Sequence, residues 1–222
     1  MKNTIQVREV VEPESGKVHR FYTYNRKPCK RVPIDTRLSR QLAGYALIEK
    51  DLRSVGVWLA EIDSLRASEI EIKGHILAKD RKMYNVVKGL FVAALTFYGK
   101  CFTRCEGRPV KLERKQVEER YRLKHDDLLN YRNNFAAHSG AKNLESVGIA
   151  VVLPRIKKGE TYPQLYRELY QPDLFITKEG GIDFKEVVES MREVVLKKIQ
   201  LLSDKIMKEE VMPLGLDHWM KK

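Results

Sequence analysis

The sequence has few cysteines and lacks long apolar runs. Its three cysteines, Cys29, Cys101 and Cys105, are odd in number and too few for a disulfide framework, which predicts a reducing, cytoplasmic setting. No apolar run approaches the roughly 20 residues that span a bilayer, so we expect no membrane insertion. The opening stretch MKNTIQVREVVEPESG has no apolar segment of the secretory type, so we also expect no secretory signal.

The motifs of several common enzyme classes are absent as well. The chain contains no P-loop, no GxGxxG, no GxSxG and no HExxH. Cys101 and Cys105 lie four positions apart on a predicted helix, a spacing that suits either a metal pair or two small core residues. No neighbouring His or Cys completes a ligand set, so we predict neither a metal nor a cofactor.

The charge of the chain is strongly positive. Lys and Arg number 42 against 30 Asp and Glu, which gives a net charge of +12. This imbalance favours a polyanionic partner, nucleic acid above all. The basic residues are dispersed along the chain, so a solvated surface with a basic bias is the other interpretation.

The first half of the chain has the hydrophobic spacing of long helices behind a β-rich start. Two runs of β-forming residues flank a Glu-Ser-Gly turn and predict a β-hairpin over 4–24, followed by a basic connector over 25–33. Apolar residues three, four or seven positions apart predict a helix over 36–65. A second helix is predicted over 79–104. Its centre, 86–102, is apolar on nearly all sides, as in helices buried in a bundle or covered by a second subunit.

The second half alternates between helical and β-type patterns. A short helix is predicted over 112–121, and a longer helix over 125–139 ends at Gly140, the usual residue type after a helix terminus. Residues 144–175 are rich in β-formers around a Lys-Lys-Gly-Glu turn and predict a hairpin that we call the β-arm. A last helix is predicted over 184–210, before an irregular tail.

These elements predict an all-α fold. We expect an up-and-down bundle of four to five helices, formed by residues 34–140 and 184–210 within a single domain over 1–222. The hairpin with its basic connector, residues 1–33, and the β-arm, residues 144–175, are additions to that bundle.

The stretch YRNNFAAHSG, residues 131–140, places an Arg, two Asn and a His near the end of a helix. His138 lies on the apolar stripe of this helix, where a His often closes a core face through one hydrogen bond. Arg132 precedes it by six positions, so on an ideal helix the two side chains diverge by about 120°. Arg120 and His125 are similarly spaced. The adjacent Asn and the place in the last turns of an apolar helix distinguish the later pair.

The segment RNNFAAH, residues 132–138, resembles the R-x(4–6)-H motif of the HEPN superfamily, in which a polar residue often follows the Arg. The family fold is a bundle of four or five helices, which is compatible with the predicted elements. The resemblance implies a metal-independent endoribonuclease, typically a homodimer in which two motif copies meet in a basic cleft. Such enzymes commonly act in toxin–antitoxin, abortive-infection and other antiviral systems, so RNA and an antitoxin or other regulatory protein are the implied partners.

By this resemblance Arg132, Asn133 and His138 form the catalytic set. RNA carries its own nucleophile, the 2′-OH, so cleavage needs a base, an acid and a cation for the phosphorane charge. The reference pKa of His, near 6.5, suits His138 to either proton transfer. Arg132 can hold a phosphate through two parallel hydrogen bonds, and Asn133 can position a phosphate oxygen or the His.

Further RNA contacts are expected from Asn134, which shares the His138 face, and from the basic residues Arg155, Lys157 and Lys158 of the β-arm. The aromatic residues of the β-arm suit either stacking on bases or packing onto the bundle or another subunit. They are Tyr162, Tyr166, Tyr170 and Phe175.

The resemblance also leaves an alternative to catalysis. HEPN-like members with altered motifs act as non-catalytic modules that bind RNA, nucleotides or proteins. A helical interaction protein with a coincidental motif is the third interpretation. The sequence therefore leaves open whether this chain is an enzyme.

Overall fold

The computed structural model describes residues 4–67, 71–72, 75–76, 81–133, 146–153, 162–170 and 183–222. Within these ranges the helices are α1 (Arg37–Arg66), α2 (Arg81–Phe102), α3 (Arg122–Tyr131), α4 (Phe184–Ile206) and α5 (Gly215–Lys221). The strands there are β1 (Gln6–Val11), β2 (Val18–Tyr24), β3 (Lys27–Pro28), β4 (Glu71–Ile72), β5 (His75–Ile76), β6 (Ser146–Val152) and β7 (Gln164–Tyr170). The predicted helical fold with an N-terminal hairpin is thus confirmed in outline. Among the described residues, no helix has the length and apolar character that a membrane span requires.

The N-terminal hairpin forms where β-forming residues flank the predicted turn. β1 pairs antiparallel with β2 along its whole length. Gly16 adopts φ +65° in the turn, a left-handed conformation that glycine enters without strain. A second tight turn, with Asn25 at φ 47° and Arg26 at φ 63°, returns the chain into β3, which pairs with the end of β2. The result is a three-stranded antiparallel sheet in the order β1-β2-β3.

The two long N-terminal helices follow the predicted spacing closely. At the start of α1, the Ser39 amide donates to Thr36 Oγ1 at 3.1 Å, and the Thr36 amide donates to Ser39 Oγ at 2.8 Å. This reciprocal cap satisfies two N-terminal amides. After α2, Gly107 turns the chain with φ +76°, and the Leu112 amide then donates to Cys101 O at 2.8 Å. The segment after α2 therefore folds back along the end of that helix.

One hydrophobic core joins α1, α2, α3, α4 and the segment between α2 and α3. The aromatic ring of Phe184, at the start of α4, stands edge-on to Phe91 at 6.4 Å and to Tyr98 at 5.3 Å, measured between ring centroids. The largest fully buried side chains include Tyr98, Phe184, Ile48, Leu52, Leu59, Ile62, Leu95, Leu112 and Met191. Other helices of the same chain therefore cover much of the apolar centre of α2.

The β-arm is also a hairpin, as predicted. β6 pairs antiparallel with β7 from Ser146↔Tyr170 to Val152↔Gln164. The sequence did not predict the two-residue strands β4 and β5, which pair antiparallel between α1 and α2.

Three local predictions differ from the structure. The helix expected over 125–139 begins earlier, at Arg122, and α3 ends at Tyr131, while the predicted stretch from residue 134 onward lies outside the described residues. The region predicted as one short helix forms two 3-10 turns, Arg114–Gln116 and Glu119–Tyr121. The prediction of an irregular tail is wrong, because α5 forms there. The Trp219 indole donates to Val211 O at 2.9 Å and holds α5 against the preceding turn.

The internal contacts divide the chain into two compact units. One comprises Met1–Arg40 with Leu201–Lys222, and the other comprises Gln41–Gln200. Within the first unit, Thr36 Oγ1 donates to Glu210 Oε2 at 2.8 Å, which joins its N-terminal and C-terminal parts. The single domain over 1–222 stays a prediction.

Candidate functional site

The helix that leads to the candidate site is anchored on α2 by a buried histidine. His125 is 1% exposed, and its Nδ1 is hydrogen-bonded to Tyr98 Oη at 2.7 Å. The Phe102 ring lies 4.4 Å from the His125 ring, and Leu128, one turn later, is also buried in the core. These contacts fix α3 against the C-terminal half of α2 and so determine where the residues after α3 are placed.

Arg132 is the first residue after α3, and its backbone is still helical, with φ −57° and ψ −45°. Its amide contacts the Leu128 and Leu129 carbonyl oxygens, so the backbone position is held. The side chain lies over Gly99 of α2. A Cβ placed on Gly99 would be 3.2 Å from Arg132 Cγ and Cδ and 3.3 Å from Nε. The close approach of the arginine therefore depends on the missing side chain of Gly99.

The guanidinium of Arg132 is tied to its neighbour. Arg132 Nη1 donates to Asn133 Oδ1 at 2.9 Å, while Arg132 is half-buried and Asn133 is exposed. Across the described part of the chain, no carboxylate forms an ion pair with Arg132. A guanidinium has five N–H donors, so this arrangement leaves donors at the surface for an anionic ligand. The guanidinium of Arg132 is thus held by the side-chain amide of the next residue, a contact that the sequence did not predict.

The competing pair, Arg120 and His125, has different surroundings. Arg120 is exposed, pairs with Glu118 at 3.0 Å and stacks over the Tyr121 ring at 4.5 Å. Burial lowers the pKa of His125, so its neutral form is favoured within the core. The arginine has a carboxylate partner and the histidine has a core partner, so this pair has a structural role.

The other predicted site residues lie outside the described residues. They are Asn134, His138, Arg155, Lys157 and Lys158. Their roles stay predictions. Of the β-arm aromatics, Tyr162 is 71% exposed and Tyr166 is 48% exposed.

A buried ion cluster next to Gly99 was not anticipated from the sequence. Asp51 of α1 is 1% exposed, and its carboxylate forms ion pairs with Lys100 Nζ at 3.0 Å and Lys50 Nζ at 3.2 Å. Arg108 Nη1 lies 3.7 Å from the same carboxylate, and Arg108 Nη2 donates to Lys100 O at 2.5 Å. Because Lys100 follows Gly99 directly, this cluster fixes the end of α2 that supports Arg132.

The two cysteines near this end of α2 differ in burial. Cys101 is fully buried, and burial raises the pKa of its thiol to about 12, so it stays protonated as a core residue. Cys105 is half-buried. Among the described residues, no group of three or more His, Cys, Asp or Glu side chains is placed to hold a metal ion.

No family model, no curated protein and no solved structure matches this chain.

The sequence named Arg132 as a candidate and did not predict the residues that surround it, which are Gly99, the Tyr98–His125 pair and Asp51. Gly99 carried a usable signal, because a lone glycine inside an apolar helix often has a packing reason.

Proposed function

We propose that this protein is a HEPN-like, metal-independent endoribonuclease that cleaves RNA by attack of the 2′-OH. The observation that supports the proposal best is the surface position of Arg132, which is held over Gly99 and has no carboxylate partner in the described part of the chain. An arginine with its stem fixed, and with donors left beyond the one that contacts Asn133, suits bidentate binding of a phosphate. Four helices that share one core are compatible with the proposed up-and-down bundle of four to five helices.

The chemistry follows from the residue types. His138 takes the proton from the 2′-OH, whose oxygen attacks the adjacent phosphorus to form a 2′,3′-cyclic phosphate. A separate acid protonates the departing 5′-oxygen. Arg132 stabilises the negative charge on the phosphorane, and Asn133 holds the guanidinium in place through its Oδ1.

We propose a homodimer as the active form. A single motif copy supplies one histidine, whereas cleavage of RNA needs both a base and an acid. Two copies that meet in a basic cleft provide His138 of each chain for these two roles. The net charge of +12 favours binding of RNA by such a cleft.

A biological role follows from the same resemblance. We propose a cytoplasmic toxin or antiviral defence effector, controlled by an antitoxin or another regulatory protein. Expression of the wild-type chain then inhibits growth, and the His138→Ala variant does not. Equal growth inhibition by the two chains contradicts a toxic role that depends on cleavage.

The alternative is a HEPN-like module that binds RNA, a nucleotide or a protein without cutting. The contact between Arg132 and Asn133 supports this alternative to the same degree, because it prepares an anion site that needs no histidine. The two candidates agree on ligand binding at Arg132 and differ only in the proton transfers assigned to His138.

A cleavage assay with matched variants separates these candidates. Wild-type protein in EDTA is expected to cut single-stranded RNA and to leave 2′,3′-cyclic phosphate ends. His138→Ala and Arg132→Ala should each lower the rate by at least about 100-fold, since each removes a transition-state contact. Arg120→Ala also removes one positive charge, but Arg120 already has a carboxylate partner, so this variant should cleave like wild type.

Circular dichroism and thermal unfolding of every variant exclude loss of fold as the cause. Normal cleavage by both His138→Ala and Arg132→Ala would contradict the catalytic assignment. Salt-sensitive RNA binding without any cleavage by the wild type would instead favour the binding module.

A further inference from the structure

The N-terminal hairpin presents a face that the site described above does not use. Side chains alternate between the two faces of a strand, so the even-numbered residues of β1 and the odd-numbered residues of β2 point the same way. The cross-strand pairs on this face are Gln6↔Thr23, Arg8↔Phe21 and Val10↔His19. We call these six residues the Phe21 face.

Phe21 is 57% exposed at the centre of this face. Arg8 stands directly opposite Phe21 on β1, and no described carboxylate forms an ion pair with it. On the other face of the same hairpin, Arg20 pairs with Glu9 at 2.6 Å. The hairpin therefore has one face with a satisfied arginine and another with an uncommitted arginine beside an exposed aromatic ring.

Two open cavities have Phe21 in their walls. One has a volume of about 610 Å³ and is lined by Gln6, Val7, Arg8, Val10, Phe21 and Thr23. The other, of about 340 Å³, is lined by Val18, His19, Arg20, Phe21, Tyr22 and Arg31. Phe21 is thus shared by two open cavities, and each of them also has at least one arginine in its wall.

The charge around the hairpin is uneven. Residues 4–33 contain seven Lys and Arg against three Glu, a net charge of +4. Two of the three acidic residues, Glu12 and Glu14, lie in the turn between β1 and β2. Four of the basic residues lie beyond β2, between residues 26 and 31. The end of the hairpin away from this turn is therefore strongly basic, which suits a polyanion.

We propose that the Phe21 face binds single-stranded RNA, with Phe21 stacked on a base and Arg8 on an adjacent phosphate. An exposed ring beside uncommitted cations is what binding of unpaired bases requires, because the base faces are accessible only in single strands. This inference rests on the proposed function, since it assigns a second contact to the same RNA substrate. The amide of Gln6 and the hydroxyl of Thr23 supply polar contacts beside the ring.

Binding is tested with an oligonucleotide that the protein cannot cleave. A labelled 2′-O-methyl oligouridine of about 12 nucleotides has no free 2′-OH, so fluorescence anisotropy measures affinity alone. Phe21→Leu retains an apolar side chain without a ring and should weaken binding about tenfold. Arg8→Ala should weaken binding and lower the slope of log K against log salt by about one.

Arg40→Ala is the matched control. Arg40 lies in the same compact unit, is exposed, and pairs with Asp35 at 2.7 Å, so its loss removes one charge without touching the Phe21 face. Its affinity should stay within about twofold of wild type. Phe21→Trp should bind like wild type, and the emission of the added tryptophan should change when a base stacks on it. Thermal unfolding confirms that each variant is folded.

The outcomes distinguish this inference from the proposed function. Unchanged affinity in both Phe21→Leu and Arg8→Ala would overturn the inference, even if the protein cleaves RNA normally. Displacement of the oligouridine by double-stranded RNA or polyglutamate as readily as by single-stranded RNA would also overturn it, because neither offers an open base. Binding that depends on Phe21, in a protein that never cleaves, supports this inference and contradicts the endoribonuclease.

Discussion

Residues 120–125 and residues 132–138 both place a histidine a few positions after an arginine. Arg120 already has Glu118 and the Tyr121 ring as partners, and its histidine lies in the core against Tyr98. Arg132 has a neighbouring amide as its hydrogen-bond partner and lies at the surface over a glycine.

The difference between the two pairs shows what spacing alone omits. An arginine of such a pair can bind a ligand when its stem is held and its N–H donors are available. It has a structural role when those donors already have partners within the protein. The surroundings of Arg120 and Arg132 come from residues far away in sequence, so a short motif does not contain them. If this contrast in surroundings corresponds to a contrast in function, substitutions next to Arg132 should act mainly on cleavage and substitutions at His125 mainly on stability.

The largest effect is expected from filling the space that Arg132 uses. Gly99→Leu places a side chain where the Arg132 stem lies, so the guanidinium must move away. Displacement of a positioning group by about 1 Å can lower a rate by about 100-fold, so we expect a loss of that size in RNA cleavage. Gly99→Ala requires a smaller shift and should give an intermediate loss, measured in the same assay.

Gly89→Leu is the control for this experiment. Gly89 lies in the same helix, and a Cβ built there meets nothing within 4 Å. Both substitutions replace glycine by a good helix former, which should stabilise α2 by up to about 1 kcal/mol each. If Gly99→Leu and Gly89→Leu cleave RNA equally well, the position of Arg132 over Gly99 has no functional role.

How far the sequence predicts this molecule depends on whether a feature is local. The long helices follow from apolar spacing, and α1 and α2 begin and end within two residues of the predicted positions. The two hairpins follow from β-forming runs around turns. The tail was missed because Pro213 and Gly215 indicate breaks, whereas the indole of Trp219 stabilises a last helical turn there.

The supports of the candidate site are non-local, and this is why the sequence did not predict them. His125 is buried because Tyr98 and Phe102 of another helix contact its ring. Asp51 is buried because cations from different parts of the chain converge on its carboxylate. Spacing within one helix identifies its apolar face but gives no information on which side chain of another helix will meet it.

A smaller effect, on stability, is expected from the buried histidine of the Arg120–His125 pair. His125→Ala should lower the free energy of unfolding by about 2–4 kcal/mol, because it leaves a cavity and a buried Tyr98 hydroxyl without a partner. Tyr98→Phe removes the same hydrogen bond without a large cavity and should cost about 1 kcal/mol. Urea unfolding measures both values.

Cleavage by the folded fraction should fall less in these two variants than in Gly99→Leu, since they act on Arg132 only through the placement of α3. A His125→Ala protein as stable as wild type would show that the Tyr98–His125 contact does not anchor α3. The contrast between the two arginine–histidine pairs would then lose its physical basis.

The smallest expected effect is a pH dependence of stability that His125 contributes. Burial lowers its pKa below the ordinary value of 6.5, and the charge of Arg114 acts in the same direction against that of Asp126. Above about pH 6.5 the histidine is neutral in both the folded and the unfolded chain, so its full contribution to the free energy of unfolding is present. As the pH falls below that value the unfolded chain binds a proton and the folded chain does not, so stability is lost until the folded pKa is reached.

Urea unfolding between about pH 7.5 and pH 5.5 should therefore show a steeper loss of stability in wild type than in His125→Gln, which cannot titrate. Parallel curves for the two proteins would show that His125 is protonated as easily in the fold as in the unfolded chain, which its burial between Tyr98 and Phe102 opposes.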